Sequence, residues 1–363
     1  MSKNVESLEN SLSWFLNSGV MPNEGRDGVA ERIVLTAGNP ALDRIKEVFP
    51  DLSSEHDGYW IMEQRRADCC FETALLFLLA GKKLNNDFYL RVGKNILEYL
   101  FERSGLRKED MWNWYVPSNV PRSWWFDDNG WVAAIEIFIG QQFPELDKKY
   151  DLIAKGRKSA LIMGEAVIRN LTSEKPIIHG KWPDEVFGGE PRKPHWGTPV
   201  CVALLLAGEF DMVCQYHQWG EKNWHQFGLS EWAYALISSA VGGKLGNSYL
   251  KEQSVKIYSY LKSSEKDGIL PSEHCEAPSG KSLADLIYTL NWYLPGLGLV
   301  EGGREDFLRL RDFIISIQNP DGSWQGMYDI SQGKWAGGDL YEGGANSLYT
   351  GWTNTVLALT MMM

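Results

Sequence analysis

Two consecutive stretches decide the fold, Cys69–Gly81 (CCFETALLFLLAG) and Asp87–Gly105 (DFYLRVGKNILEYLFERSG). The first is apolar nearly all round, as a helix is when neighbours cover every face. The second carries charge along one side, as a helix does with one face in water. The contrast recurs along the chain: Asn129–Gly140, Thr198–Gly208 and Asn346–Thr360 read like the first, and Asp147–Leu171 and Glu305–Gln318 like the second. Apolar i, i+3, i+4 spacing predicts helices over roughly 4–18, 68–81, 86–104, 128–141, 145–171, 198–208, 212–226, 229–243, 247–263, 281–295, 303–318 and 345–360, with little of the period-two alternation that strands need. Strict alternation of inner and outer character across twelve helices describes six helical hairpins closed into a ring. The expectation is therefore an all-α (α/α)6 barrel in which residues 1–363 form one domain and the first helix completes the outer layer.

Composition narrows the function classes. With 44% hydrophobic and 23% charged residues the chain can bury a large core, which excludes disorder. Forty-seven acidic against 36 basic residues leave a net charge of -11, and no Lys/Arg run is present, so nucleic acid is not an expected partner. No apolar run is long enough to span a bilayer, so no membrane association is expected. Five cysteines without a C-x-x-C pair and a start (MSKNVESLENSL) with no apolar segment after its charges point to a cytoplasmic protein. The oligomeric state is left open.

In a ring of hairpins each outer helix returns the chain to the same end, so every segment preceding an inner helix opens on one face. Those segments are the long ones, 55–68, 112–128, 179–197, 271–285 and 320–346, and they are rich in Trp, carboxylates and His. Sixteen tryptophans in the chain exceed what packing alone asks for, and indoles beside Gly, Pro, Asp and Asn read as the walls of a cleft.

The sharpest local signal is Ser123-Trp124-Trp125-Phe126-Asp127-Asp128-Asn129-Gly130-Trp131, two adjacent carboxylates among aromatics at an inner-helix start. Glycosidic hydrolysis needs two carboxyl groups, one to protonate the leaving oxygen and one to act as base or nucleophile, and flat apolar rings to stack on the sugar. A helix N-terminus favours the ionised carboxylate while indole packing raises its pKa, so Asp127 and Asp128 can be driven to different roles. The plainer alternative is that Asp127 is a helix cap and Asp128 a first-turn acid. Asp68 stands at another inner-helix start with Glu72 one turn further in. Arg65 and Arg66 before it can grip a substrate carboxylate, or pair with Glu63 and Asp68.

The Asp127-Asp128-Asn129-Gly130-Trp131 segment resembles the Asp-Asp segment of endo-α-1,6-mannanase-type hydrolases, and the helix pattern of the whole chain resembles the six-hairpin glycosidases. That superfamily also holds unsaturated uronyl hydrolases, exo-β-glucuronidases and sugar epimerases. The resemblance implies a glycosidase acting on an oligosaccharide, neutral or uronic, with Asp128, Asp127 and Asp68 as candidate catalytic groups. Asp68 and Asp128 match the placement of one aspartate at the start of each of two inner helices in the uronyl hydrolases.

Candidate substrate-binding residues are Trp124, Trp125, Trp131, Arg65, His195, Trp196, His274, Tyr341, Glu342 and Trp352. Epimerase or lyase chemistry on the same barrel needs a His, Tyr or Lys base opposite an arginine, and His195 or His274 with Arg65 or Arg122 can provide it. A carbohydrate-binding barrel without catalysis is the third reading. The six histidines show no zinc-ligand spacing, so no cofactor and no catalytic metal are expected, while calcium among loop carboxylates stays open. Gln318-Asn319-Pro320-Asp321-Gly322-Ser323-Trp324 matches the Q-x-x-x-G-x-W repeat of terpenoid cyclases. It occurs once, without their acidic motifs, and reads as a staple at a helix end.

Overall fold

A computed structural model describes residues 2–39, 42–48, 53–56, 58–116, 124–173, 187–274, 279–336 and 346–363. Six helices form an inner ring: α3 (Ala67–Leu84), α5 (Phe126–Gln142), α8 (Pro194–Ala207), α10 (Leu229–Lys244), α12 (Leu290–Leu299) and α14 (Val356–Thr360). Each packs on the next, and α14 returns to α3, so the ring closes. Outside them lie α4 (Asp87–Glu98) on α3, α7 (Leu152–Thr172) on α5, α9 (Phe210–Asn223) on α8, α11 (Ser248–Ser264) on α10, α13 (Arg304–Ser316) on α12 and α1 (Lys3–Asn17) on α14. The one-turn-plus helix α6 (Pro144–Tyr150) leads into α7, and α2 (Leu42–Val48) lies beside the sheet described below. The chain thus has the (α/α)6 architecture that the alternating hydrophobicity predicts.

Local chemistry fixes the hairpins. Asn85 adopts the left-handed conformation that ends α3, and Asn86 caps α4 by accepting from the N–H groups of Phe88 and Tyr89. Gly130 lets α5 approach α8: a Cβ there would lie 2.6 Å from the Val200 backbone nitrogen. One apolar cluster runs through all the inner helices and the inward faces of the outer ones. Gln318 Nε2 donates to the Ser7 carbonyl of α1, and the buried Trp324 indole donates to the Ile314 carbonyl of α13. The Gln-to-Trp segment therefore ties two outer helices together.

The sequence reading underestimated strand content. An antiparallel sheet runs in the order Ser347–Tyr349, β1 (Ala30–Leu35), β3 (Tyr59–Arg66), β2 (Ser53–His56), and Tyr115–Val116 adds to the end of β3. Along β3 Trp60, Ile61 and Met62 are all buried, so packing on both faces hides the alternation that would have betrayed a strand. Two helix boundaries are corrected. The helix expected over 281–295 begins at Leu290, because Leu283–Asp285 pairs with Met327–Asp329 and the Asp285 side chain folds the following turn by accepting from Ile287, Tyr288 and Thr289. The one expected over 345–360 is a strand, then a π-helical turn Thr350–Thr355, then α14. Among the described residues no helix is long and apolar enough to cross a membrane.

Candidate functional site

The first turns of the inner helices carry the polar groups. Asp68 is the second residue of α3, Asp127 and Asp128 the second and third of α5, His195 the second of α8 and Glu231 the third of α10. Because these helices start at the same end of the ring, their first turns face one another across its mouth. His274 reaches the same place from the segment preceding α12.

Arg66, the last residue of β3, organises one side. Its Nε and one terminal nitrogen grip both oxygens of Asp68 at 3.1 and 2.9 Å, and the same terminal nitrogen donates to Asp128 Oδ1 at 2.7 Å. The other terminal nitrogen lies 3.5 Å from Glu31 on β1. The guanidinium sits over the rings of Trp352 at 4.6 Å and Trp114 at 5.6 Å. Burial works against its charge, yet Asp128, Asp68 and Glu31 together hold its pKa well above the ordinary value. Burial also pushes Asp128 well above the carboxylate range; Arg66 opposes this, and Asp68 and Asp127 reinforce it. Glu72 lies behind, shifted upward by burial and by Asp68. Gly351 makes room for it, since a Cβ there would stand 2.5 Å from Glu72 Oε2.

Asp127 belongs to the other side. Burial raises its carboxyl to about 6, with His195 the first charge acting to lower it. Among the described residues neither Asp127 Oδ1 nor Asp128 Oδ2, both shielded from solvent, meets an N–H or O–H donor. Such oxygens are costly unless something binds them. Neither aspartate caps α5: the N-cap is Trp125, and no side chain closes the first turn. The cap alternative for Asp127 is therefore corrected. The helix start is fixed by Asn129, which accepts from Trp112 N–H and donates to the Trp112 and Trp125 carbonyls.

His195 Nδ1 lies 2.6 Å from Glu231 Oε1, while Glu231 Oε2 accepts the His195 backbone N–H at 2.8 Å. His274 Nε2 is 3.4 Å from His195 Nδ1, and its ring stacks on Tyr288 at 4.0 Å. Burial alone would raise Glu231, but the two histidines outweigh it and its pKa falls below the usual value. Burial and His195 lower His274 to about 3, so it is a neutral imidazole. Buried Tyr234 lies close enough to feel both Glu231 and Asp127. One atom each of His195, Glu231 and His274 falls within 4.8 Å of the others, a set able to hold a metal ion, although no spacing in the sequence foretold it.

The fold thus gathers Asp68, Asp127, Asp128, His195 and His274. It does not bring in Arg65, whose side chain alternates to the opposite face of β3 and pairs with Glu63 and the Asp27 carbonyl. Arg66 takes the place expected of it. Trp124 is corrected as well: it is 4% exposed and packs on Phe187 in the core, so no ring face is offered to a ligand. Trp125, Trp131, Trp196 and Trp352 are half-buried. Trp131 stacks flat on Trp292 at 4.4 Å, and Trp196 rests against His195 at 3.7 Å. Tyr341, Glu342 and Arg122 lie outside the described residues.

Sequence reasoning missed Glu31 and Glu231. Glu231 was findable, because it holds the same first-turn position on an inner helix as Asp128. Glu31 was hidden in a strand that was not recognised.

No protein-family model matches the sequence, nor does any curated protein. Solved structures do match in fold. A D-mannose isomerase superposes with a TM-score of 0.61 at 12% identity, covering 99% of this chain and 96% of its own. The GH76A α-1,6-mannanase from Salegentibacter sp. HEL1_6 gives a TM-score of 0.56 at 11% identity, covering 99% and 98%. Cellobiose 2-epimerase from Bacillus thermoamylovorans B4167 gives 0.57 at 9%, covering all of both chains. At these identities the likeness concerns the fold alone, an (α/α)6 barrel of six helical hairpins.

Proposed function

We propose that the protein is a glycoside hydrolase acting on oligosaccharides, with residues 1–363 as one catalytic domain. The observation that carries this reading is the pair Asp127 and Asp128: two adjacent carboxyls, each with a buried oxygen lacking a donor among the described residues, one set against Arg66 and Asp68 and the other against His195. Carboxyls held at different pKa values take different roles. Asp128, pushed well above the usual range and sharing its surroundings with Asp68, is the proton donor to the leaving oxygen. Asp127, at about 6, is ionised at neutral pH and serves as base or nucleophile. Arg66 orients Asp128 and Asp68, and Trp125, Trp196 and Trp352 offer partly open rings to a sugar. An α-1,6-mannanase of this fold made inactive by replacing two adjacent aspartates, and captured with α-1,6-mannotriose, lends support by analogy.

A second reading rests on a separate observation. The His195–Glu231 pair facing neutral His274 can move a proton at carbon, as a sugar isomerase or epimerase requires. One experiment separates the two. Purified protein is incubated with neutral, uronic and unsaturated oligosaccharides and with free mannose and cellobiose, and products are read by mass spectrometry and by deuterium uptake from heavy water. Shortened oligosaccharides that vanish with Asp127→Asn support hydrolysis. Deuterium at a sugar carbon without chain shortening overturns it in favour of isomerisation.

A further inference from the structure

His195, Glu231 and His274 come from α8, α10 and the segment before α12, and three of their ligand-type atoms meet within one buried volume. We infer that they form a binding site for a divalent transition metal, zinc in class, held by His195 Nδ1, Glu231 Oε1 and His274 Nε2. This goes beyond the proposed function, which uses Asp127 and Asp128, and it is incompatible with the second reading, in which the same imidazole nitrogens must be free to carry a proton.

The geometry is that of a three-ligand site with an open position. Zinc bonds of about 2.0–2.1 Å in a tetrahedron put neighbouring ligand atoms roughly 3.3 Å apart. His274 Nε2 stands 3.4 Å from His195 Nδ1 and 3.9 Å from Glu231 Oε1. The third edge, 2.6 Å, is a hydrogen bond between His195 Nδ1 and Glu231 Oε1. An ion entering here takes the place of the proton in that bond, which passes to the other ring nitrogen or to solvent, and the two atoms part by well under 1 Å.

The His–Glu hydrogen bond uses two atoms, and His274 Nε2 brings a third ligand-type atom to the same place. His274 Nε2 stands at hydrogen-bond distance from His195 Nδ1 and at ion-pair distance from Glu231 Oε1. Its ring is held by parallel stacking on Tyr288, and Glu231 is held by the His195 backbone N–H on its remaining oxygen. Ligands fixed in this way need little reorganisation on metal binding. Charge points the same way. Glu231 is 5% exposed, and among the described residues no lysine or arginine reaches it. Among the described side chains its charge is met by imidazole nitrogens alone, and a divalent cation at the same point would be held by all three groups at once. Two histidines and a carboxylate with an open position suit zinc and its near neighbours better than calcium or magnesium, which prefer oxygen.

The test uses the full-length protein stripped with chelator and titrated with zinc alone. Calorimetry is expected to show one zinc per chain, with at least a tenfold loss of affinity in His274→Gln and in Glu231→Gln and none in the remote variant Glu136→Gln. Cobalt substituted into the wild type provides a reading that does not depend on a variant folding: X-ray absorption is expected to show two imidazoles and oxygen, with no sulfur. Absence of stoichiometric binding, equal affinity in the two ligand variants, or a sulfur shell from one of the cysteines would each overturn the assignment.

Discussion

Glu136 on α5 offers a stability test whose size can be worked out from the structure. It is fully buried, with Arg107 paired to it at 3.2 Å and Lys155 acting on it more weakly. Burial raises its pKa from 4.5 to about 7, and Arg107 only partly offsets this. A carboxyl whose folded pKa is raised binds more protons in the native state than in the unfolded one. Its contribution is therefore intact below the unfolded value and is lost as pH rises towards the folded one. The full shift corresponds to about 3 kcal/mol, of which roughly 2.5 kcal/mol falls between pH 5 and pH 8.

Wild type and Glu136→Gln are compared by urea unfolding at pH 5 and pH 8, followed by far-UV circular dichroism and tryptophan fluorescence so that a single transition can be verified. Asp127 and Asp285, raised by burial to about 6, add a slope of the same sign to both proteins, so the difference between the two curves isolates Glu136. The wild type is expected to lose about 2.5 kcal/mol more than the variant over this range. Parallel curves, agreeing within about 0.5 kcal/mol, would falsify the claim that burial dominates this carboxyl.

Other outcomes follow from the site. Asp128→Asn replaces a carboxyl whose surroundings favour the neutral form, so the melting temperature should barely move while turnover of a responsive oligosaccharide falls by ~10²-fold or more; unchanged turnover removes Asp128 from the chemistry. The acid limb of the kcat/KM profile should fall as pH drops through about 6, where Asp127 takes up its proton, and an activity flat from pH 5 to 8 contradicts its role as base. Trp125→Ala should weaken oligosaccharide binding by about 1 kcal/mol in calorimetry without lowering stability comparably. Gly351→Ala forces a methyl group to within 3.0 Å of the Cys69 backbone as well as against Glu72, and should destabilise by about 1–3 kcal/mol in thermal unfolding.

The ring was legible because its signal is repeated: each hairpin restates the contrast between a helix covered all round and one wetted on a single face. The sheet was not, because β3 is covered on both faces over Trp60–Met62, and over its last four residues, Glu63–Arg66, burial alternates while the residues are all polar. Those four residues decide the site. Glu63 and Arg65 turn outward and pair with each other, whereas Gln64 and Arg66 turn inward, so identifying the strand would have selected Arg66 over Arg65. Trp124 misled for a related reason. Its neighbours in sequence are loop-like, but it pairs as a strand with Phe187 and is drawn into the core. The His195–Glu231–His274 set joins residues from three elements, and no local spacing encodes such a meeting.

Counting charges at the mouth explains why two adjacent aspartates can behave differently there. Asp68, Asp128, Glu31 and Glu72 crowd around one guanidinium, that of Arg66. Complete ionisation would leave three uncompensated negative charges on buried side chains, which the positive ends of the inner-helix dipoles, each worth about half a charge, offset only in part. Protons remain in such a cluster, and Asp128, raised by burial, by Asp68 and by Asp127 and with an oxygen still open, is where one of them sits. Asp127 is held down first by the His195 imidazole and only then by Arg66, and Asp68 acts on it less than either. A single turn of helix thus places one carboxyl inside a reservoir of protons and the next outside it, and that difference arises from Arg66 and its acidic neighbours rather than from the aspartates themselves.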